Sequence, residues 1–319
     1  MRIAEIKNLA DTIKENIRRV VVGHDDWLDL LLIALIARGH VLLEDVPGMG
    51  KTLTAKALAK SIGCNANRIQ FTPDLLPSDV SGINFYNQKT GEFQFRPGAV
   101  FTNILLADEI NRATPRTQAS LLECMEERQV TIDGVTHGLE APFFVIATQN
   151  PVEIQGTFPL PEAQLDRFLM RVGIGYPTQE QGVEILSRFR KDDPLRTLTP
   201  VASAEDILAA QAAYADVHVS DDLYVYIVDI AERSRNHPDV TLGISPRGTQ
   251  ALLKAAQVKA VLKGRGYVLP EDVKAVAAPV LCHRILLRGM APRGADAVIA
   301  DILAHTPVPT EEALFAGAE

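Results

Sequence analysis

An α/β fold is predicted, with a five-stranded, mostly parallel sheet, two β-hairpin insertions and a helical second domain. Three observations predict it. Up to about residue 175 short apolar runs alternate with helical patterns, beyond that the chain is almost continuously helical, and two segments carry hairpin signals instead of either pattern. At 319 residues the chain exceeds what one hydrophobic core usually holds, so two unequal domains are expected, over 1–175 and 176–306, with a loosely held tail over 307–319.

The five runs are Val41 to Leu43, Arg68 to Phe71, Ile104 to Ala107, Phe143 to Thr148 and Met170 to Ile174. Each is short and bounded by polar or turn residues, which reads as a buried strand, and strands separated by helices favour an open parallel sheet. Ile83, Phe85, Phe93 and Phe95 flank a Thr90-Gly91 turn, and Val130, Ile132 and Val135 flank Asp133-Gly134. Both read as hairpins projecting from the body, and equally as ordinary surface hairpins. In the second part Ser203, Ser220 and Ser245 stand before helical runs as N-caps, Gly264 reads as a stop, and a final helix is expected from Pro270.

Composition sets limits. With 47% apolar and 23% charged residues the chain is an ordinary folded protein. Residues 1–22 lack the apolar centre of a signal peptide, and the most apolar stretch, Leu28 to Ile36, is too short to cross a bilayer, so neither export nor membrane insertion is expected. Cys64, Cys124 and Cys282 lie far apart and read as buried free thiols, which fits the cytoplasm. A net charge of −8 gives no general attraction for nucleic acid, so none is expected as partner.

The chemistry begins where Val41-Leu42-Leu43 runs into Glu44-Asp45-Val46-Pro47-Gly48-Met49-Gly50-Lys51-Thr52, with Leu53 opening a helical stretch. A strand, a glycine turn and a helix start aim backbone N–H groups at phosphate, and Pro47 to Leu53 form the nucleotide-binding segment of a P-loop NTPase. Lys51 would reach the β- and γ-phosphates and the Thr52 hydroxyl a magnesium ion, although Asp45 stands where the strict pattern wants glycine. Ile104 to Ala107 delivers Asp108-Glu109 to a strand end, the edge at which open sheets bind ligands. Asp108 would hold magnesium through its water shell, and Glu109 would orient the attacking water. Asn150, after another buried strand, could bond that water or the γ-phosphate, and also reads as an ordinary turn before Pro151. Arg167 and Arg247 suit the charge of a transferred phosphoryl group, from their own or a neighbouring subunit, and each also reads as a surface ion pair.

Together these residues resemble the AAA+ ATPases, and the fuller wording resembles the MoxR family across nearly the whole chain. The phrases are Val22-Gly23, LLEDVPGMGKT from Leu42, FTPDLLPSDVSG from Phe71, LLADEINRATPRTQASLLECMEERQVTIDG from Leu105 and ATQNPVEIQGTFPLPEAQLDRF from Ala147. Loops of this family often lack the first glycine, so Asp45 sits comfortably in it. The resemblance implies that Lys51 and Thr52 are the Walker A pair, Asp108 and Glu109 the Walker B pair, Asn150 sensor 1, Arg167 the arginine finger and Arg247 the sensor-2 arginine of a C-terminal helical lid domain. It places Val22 and Gly23 against adenine, and matches the hairpins to the insertions of a clade shared with magnesium chelatase and the MCM helicases. It implies ATP/ADP and Mg2+ as ligands and a homo-oligomeric ring, with six subunits the expected number. The implied partner is a protein client, which for MoxR-like proteins is often a von Willebrand factor A-domain protein.

Two other functions compete. A nucleic-acid motor of MCM type needs basic hairpins, yet here Lys89 and Arg96 stand against Glu92, and the second hairpin offers Asp133 and His137 with no lysine. An ATP-gated scaffold with little turnover would be expected to have lost one of Glu109, Asn150, Arg167 and Arg247, and all four are present.

Overall fold

The computed structural model describes residues 1–23, 25–44, 48–150, 156–190, 194–289 and 294–309. Helices α1 (Ile3–Arg18) and α2 (Asp25–Ile36) precede β1 (Val41–Glu44), α3 (Lys51–Ser61), β2 (Ala66–Gln70) and α4 (Pro77–Ser81). The first hairpin, β3 (Gly82–Asn87) and β4 (Glu92–Pro97), leads to β5 (Ile104–Asp108) and α5 (Pro115–Glu127). The second hairpin, β6 (Gln129–Ile132) and β7 (Val135–Gly138), leads to β8 (Phe144–Gln149), α6 (Glu162–Leu165) and β9 (Met170–Val172). The remainder holds α7 (Gln179–Arg188), α8 (Ala204–Ala213), α9 (Asp221–Asn236), β10 (Val240–Leu242), α10 (Pro246–Leu262), α11 (Pro270–Leu281), β11 (Leu286–Leu287) and α12 (Ala295–His305).

The sheet has the order β2-β5-β8-β1-β9 and every pairing in it is parallel. Because side chains alternate across a strand, Val41, Leu43, Ile104, Leu106, Phe144 and Ile146 enter one apolar cluster, and Leu42, Leu105, Ala107, Val145 and Ala147 enter another on the opposite face. The first cluster runs without a break through α1 and α2 into α8 to α12, joining Ile13 and Leu28 to Tyr226, Val258 and Val276. The chain leaves β1 for β2 on one side and reaches β9 on the other only after β8, so the strand order reverses beside β1. At such a reversal the carboxyl edge of an open sheet opens into a crevice.

Both hairpins form. Asp133 (φ 51°) and Gly134 (φ 79°) supply the two left-handed residues of a tight two-residue loop. Asn84 Nδ2 donates to Asp133 Oδ2 (2.8 Å) and Phe95 stacks on His137 (4.1 Å between ring centroids), fastening the hairpins together.

Several expectations need correction. The run from Arg68 lies on an edge strand with Ala66, Asn67 and Arg68 exposed, and within it only Ile69 and Phe71 are buried. Pro270 does not open the last helix, because α12 follows; its N-cap is Gly294, which carries no side-chain capping signal. The helical part also contains the antiparallel pair β10 and β11. Ser203 and Ser245 cap through their hydroxyls, whereas the Ser220 hydroxyl is buried without a partner. Cys64 is half-buried, Cys124 and Cys282 are buried, and burial pushes the thiols up to about 11 for Cys64 and about 12 for the others. Among the described residues no helix is long and apolar enough to cross a membrane.

Candidate active site

The crevice beside β1 is a cleft of about 630 Å³. One wall is Gly48, Met49, Gly50, Lys51, Thr52 and Leu53, and the facing wall carries Asp108, Glu109, Thr148 and Asn150. Gly48 (φ 88°) and Gly50 (φ 77°) adopt the left-handed conformation that glycine takes without strain, and Gly50 caps α3. That helix therefore begins at the cleft with its unpaired N–H groups and positive dipole end. Asp45 and Pro47 lie outside the described residues.

Parallel register builds the acidic wall. Gln70 lies opposite Asp108 and Leu43 opposite Thr148, so the ends of four neighbouring strands meet there. The Thr148 hydroxyl donates to Asp108 Oδ1 (2.6 Å) and accepts from the Glu109 N–H (2.9 Å), fixing both acids at once. Glu109 has φ 55°, a strained conformation for a side-chain-bearing residue and one that recurs at functional sites. Its Oε2 accepts from Gln70 Nε2 (2.7 Å) and pairs with Arg112 Nε (3.2 Å), while Asp108 Oδ2 accepts from Arg68 Nη2 (2.7 Å). Asn150 is 8% exposed and lines the cleft. The Gln149 side-chain amide donates to Glu44, which anchors β8 beside β1.

A second, largely apolar pocket of about 250 Å³ continues from the cleft, sharing Gly48, Met49, Gly50 and Leu53 with it. Val20, Val21 and Val22 form one side, and Pro177, Ile185 and Phe189 from the α7 region form the other. Val22 lines this pocket; Gly23 does not, and instead makes a left-handed turn (φ 71°) against which Gln181 packs.

Thr52 and Asp108 supply hard oxygen donors in one cleft, which suits magnesium, an ion that takes few protein ligands and completes its shell with water and phosphate. Among the described residues no group of three or more His, Cys, Asp or Glu is placed to hold a metal independently.

Arg167 and Arg247 line a different cavity of about 280 Å³, with Arg38, Arg128, Lys254 and Arg284, and neither lines the phosphate cleft. Arg247 Nη2 donates to Glu126 Oε1 (2.8 Å), and about half of its side chain is exposed.

Sequence reading missed Arg68, Gln70, Arg112 and Thr148 as groups that hold the two acids, and Ile185 and Phe189 as lining of the apolar pocket. The end of β2 carried a usable signal, since polar residues at the carboxyl end of a parallel strand face the ligand crevice.

Fold and cleft together define an ATPase of the AAA class: the model of the ATPase family associated with various cellular activities matches residues 40–170, and that of the AAA lid domain matches 232–304. YeaC of Bacillus subtilis is 53% identical over 93% of this chain and 94% of its own. Chaperone MoxR1 of Mycobacterium tuberculosis is 42% identical over 89% of this chain and 77% of its own. A crystal structure of a candidate ATPase from Cytophaga hutchinsonii superposes with a TM-score of 0.90 at 38% identity, covering 96% of each chain. The chain belongs to the MoxR family of AAA ATPases.

Proposed function

We propose that this protein hydrolyses ATP in a homo-oligomeric ring, six subunits being the expected size, and uses the cycle to remodel or mature a protein client. The observation that carries the proposal is a division of labour. Lys51, Thr52, Asp108, Glu109 and Asn150 share one cleft, in which Arg68 and Arg112 are paired with the two acids, while Arg167 and Arg247 line another, so these two arginines stand outside the cleft of their own chain. A neighbour's Arg167 and Arg247 would complete each site.

In this reading the α3 N-terminus and Lys51 hold the β- and γ-phosphates, Asn150 orients the terminal group, and Glu109 aligns and polarises the attacking water. Thr52, and Asp108 through the ion's water shell, would hold a magnesium ion, which would supply positive charge beside the phosphates. Val22, Ile185 and Phe189 hold the base. The proposed division at residues 175 and 176 makes the second part a lid closing over that base.

Exposed Tyr86 and Phe93 near the hairpin turn, the latter 74% exposed, and exposed Ile83 at its base favour a polypeptide over nucleic acid as what the hairpin meets. A von Willebrand factor A-domain protein as the client, and the cytoplasm as the site of action, are carried by the family resemblance and by composition.

The test is steady-state ATPase activity across protein concentrations for wild type, Glu109→Gln, Arg167→Ala and a mixture of the two variants. Specific activity should rise with concentration, each variant should be nearly inactive, and the mixture should recover part of the rate. A wild type that binds ATP without turnover at any concentration replaces this mechanism with a nucleotide-gated scaffold.

A further inference from the structure

Arg167 sits on a short segment after α6, which the body holds through Leu169 N–H on the His40 carbonyl (2.8 Å) and the buried Phe168 ring, and which the lid grips as well. The Arg284 side chain, 2% exposed, reaches across from the end of α11. Its Nε donates to Asp166 Oδ1 (2.7 Å), its Nη2 to the carbonyls of Asp166 (3.2 Å) and Phe168 (2.6 Å), and its Nη1 to the carbonyl of Leu169 (3.1 Å). One guanidinium thus binds the residue before Arg167 and the two residues after it. Asp166 Oδ2 also accepts from the Ser245 hydroxyl (3.0 Å), and Ser245 in turn caps α10 by accepting from Gly248 N–H (3.1 Å). A Cβ on Gly248 would lie 3.0 Å from Arg284 Cδ, so the missing side chain beside Arg247 makes room for the arginine stem.

We propose that Arg284 is the positioning residue for Arg167, locking the finger segment to the lid so that Arg167 and Arg247 are presented to a neighbouring subunit as one rigid unit. The proposal rests on the shared-site reading above. A planar guanidinium with five fixed donors suits the task, because several acceptors must be met at once in a buried place. Lysine keeps the charge but offers three donors from a single point, so Arg284→Lys should loosen the finger without emptying the cation site. A displacement on the order of 1 Å in a catalytic group costs up to about 100-fold in rate. Any movement of the lid over its own nucleotide would then move the finger that serves the next subunit.

The experiment is complementation by subunit mixing, read together with nucleotide affinity. Arg284→Lys alone should bind ADP as wild type does and show an unchanged KM, with kcat lowered about 10- to 100-fold. Mixed with Glu109→Gln, whose finger is intact, it should recover activity; mixed with Arg167→Ala, it should not, because both then lack a working finger. Recovery with Arg167→Ala but not with Glu109→Gln would place the defect in the variant's own cleft and overturn the proposal, as would a wild-type kcat. The Glu109→Gln and Arg167→Ala mixture is the control: if that pair fails to complement, the shared-site reading falls first and this inference falls with it. Should Arg284→Lys not fold, Asp166→Asn, which removes only the charge that Arg284 meets, must give the same mixing pattern.

Discussion

At the scale of single residues, Thr148 carries more than its place in a buried strand requires. Its hydroxyl bonds both the Asp108 carboxylate and the Glu109 main chain, and Glu109 is strained as well. Thr148→Val preserves shape but leaves the Glu109 N–H unsatisfied, so kcat should fall about 10- to 100-fold in a steady-state assay, and Thr148→Ser should restore most of it. The proposed Walker residues were legible as letters because Lys51-Thr52 and Asp108-Glu109 are contiguous in sequence and need no fold to be seen as pairs. Gln70 and Arg112 were not, since what makes them functional is register across β2 and β5 and a turn beyond β5, and neither has a sequence spacing of its own.

Elements contribute where two of them face one ligand. The apolar pocket takes one wall from the turn after α1 and the other from the α7 region, so under the proposed function base affinity depends on α7 staying in place. Phe189→Ala should weaken ATP and ADP equally, by about tenfold in Kd measured by calorimetry, with kcat unchanged at saturation. Hairpins were legible down to their turn residues because Asp133-Gly134 and Gly91 supply the left-handed backbone that such turns require. Edge status was not legible: Arg68 to Phe71 has the composition of an interior strand at Ile69 and Phe71 only, and nothing local says which side of the sheet lacks a neighbour. Helix α12 escaped because its start is a bare glycine, without an oxygen to cap it.

The whole molecule is joined by buried polar groups whose protonation state is fixed by burial. His40, between α5 and β8, accepts from Val145 N–H at Nδ1 and faces the Met125 carbonyl with Nε2, a neutral ring whose pKa burial lowers to about 4. His283, packed beside Arg284 and the Phe168 carbonyl, is likewise pushed down by burial. Unfolding releases both rings to bind protons at ordinary values, so between pH 6.5 and about 4 the unfolded chain takes up more protons and stability must fall as pH falls. Across that window His40 alone contributes a loss of up to about 3 kcal/mol, and His40→Gln should flatten the low-pH side of a Tm-against-pH curve. The overall architecture was legible because the change from alternating to continuous helical pattern is a property of long stretches. The unbroken core was not, because it is made by α1 and α2, early in sequence, packing against helices some two hundred residues later. That junction limits how such proteins can be recombined. A lid transplanted from a relative would meet a foreign surface on α1 and α2, so the unit that can be exchanged intact is the lid together with α1 and α2, two stretches that inheritance must keep matched although they lie far apart in sequence.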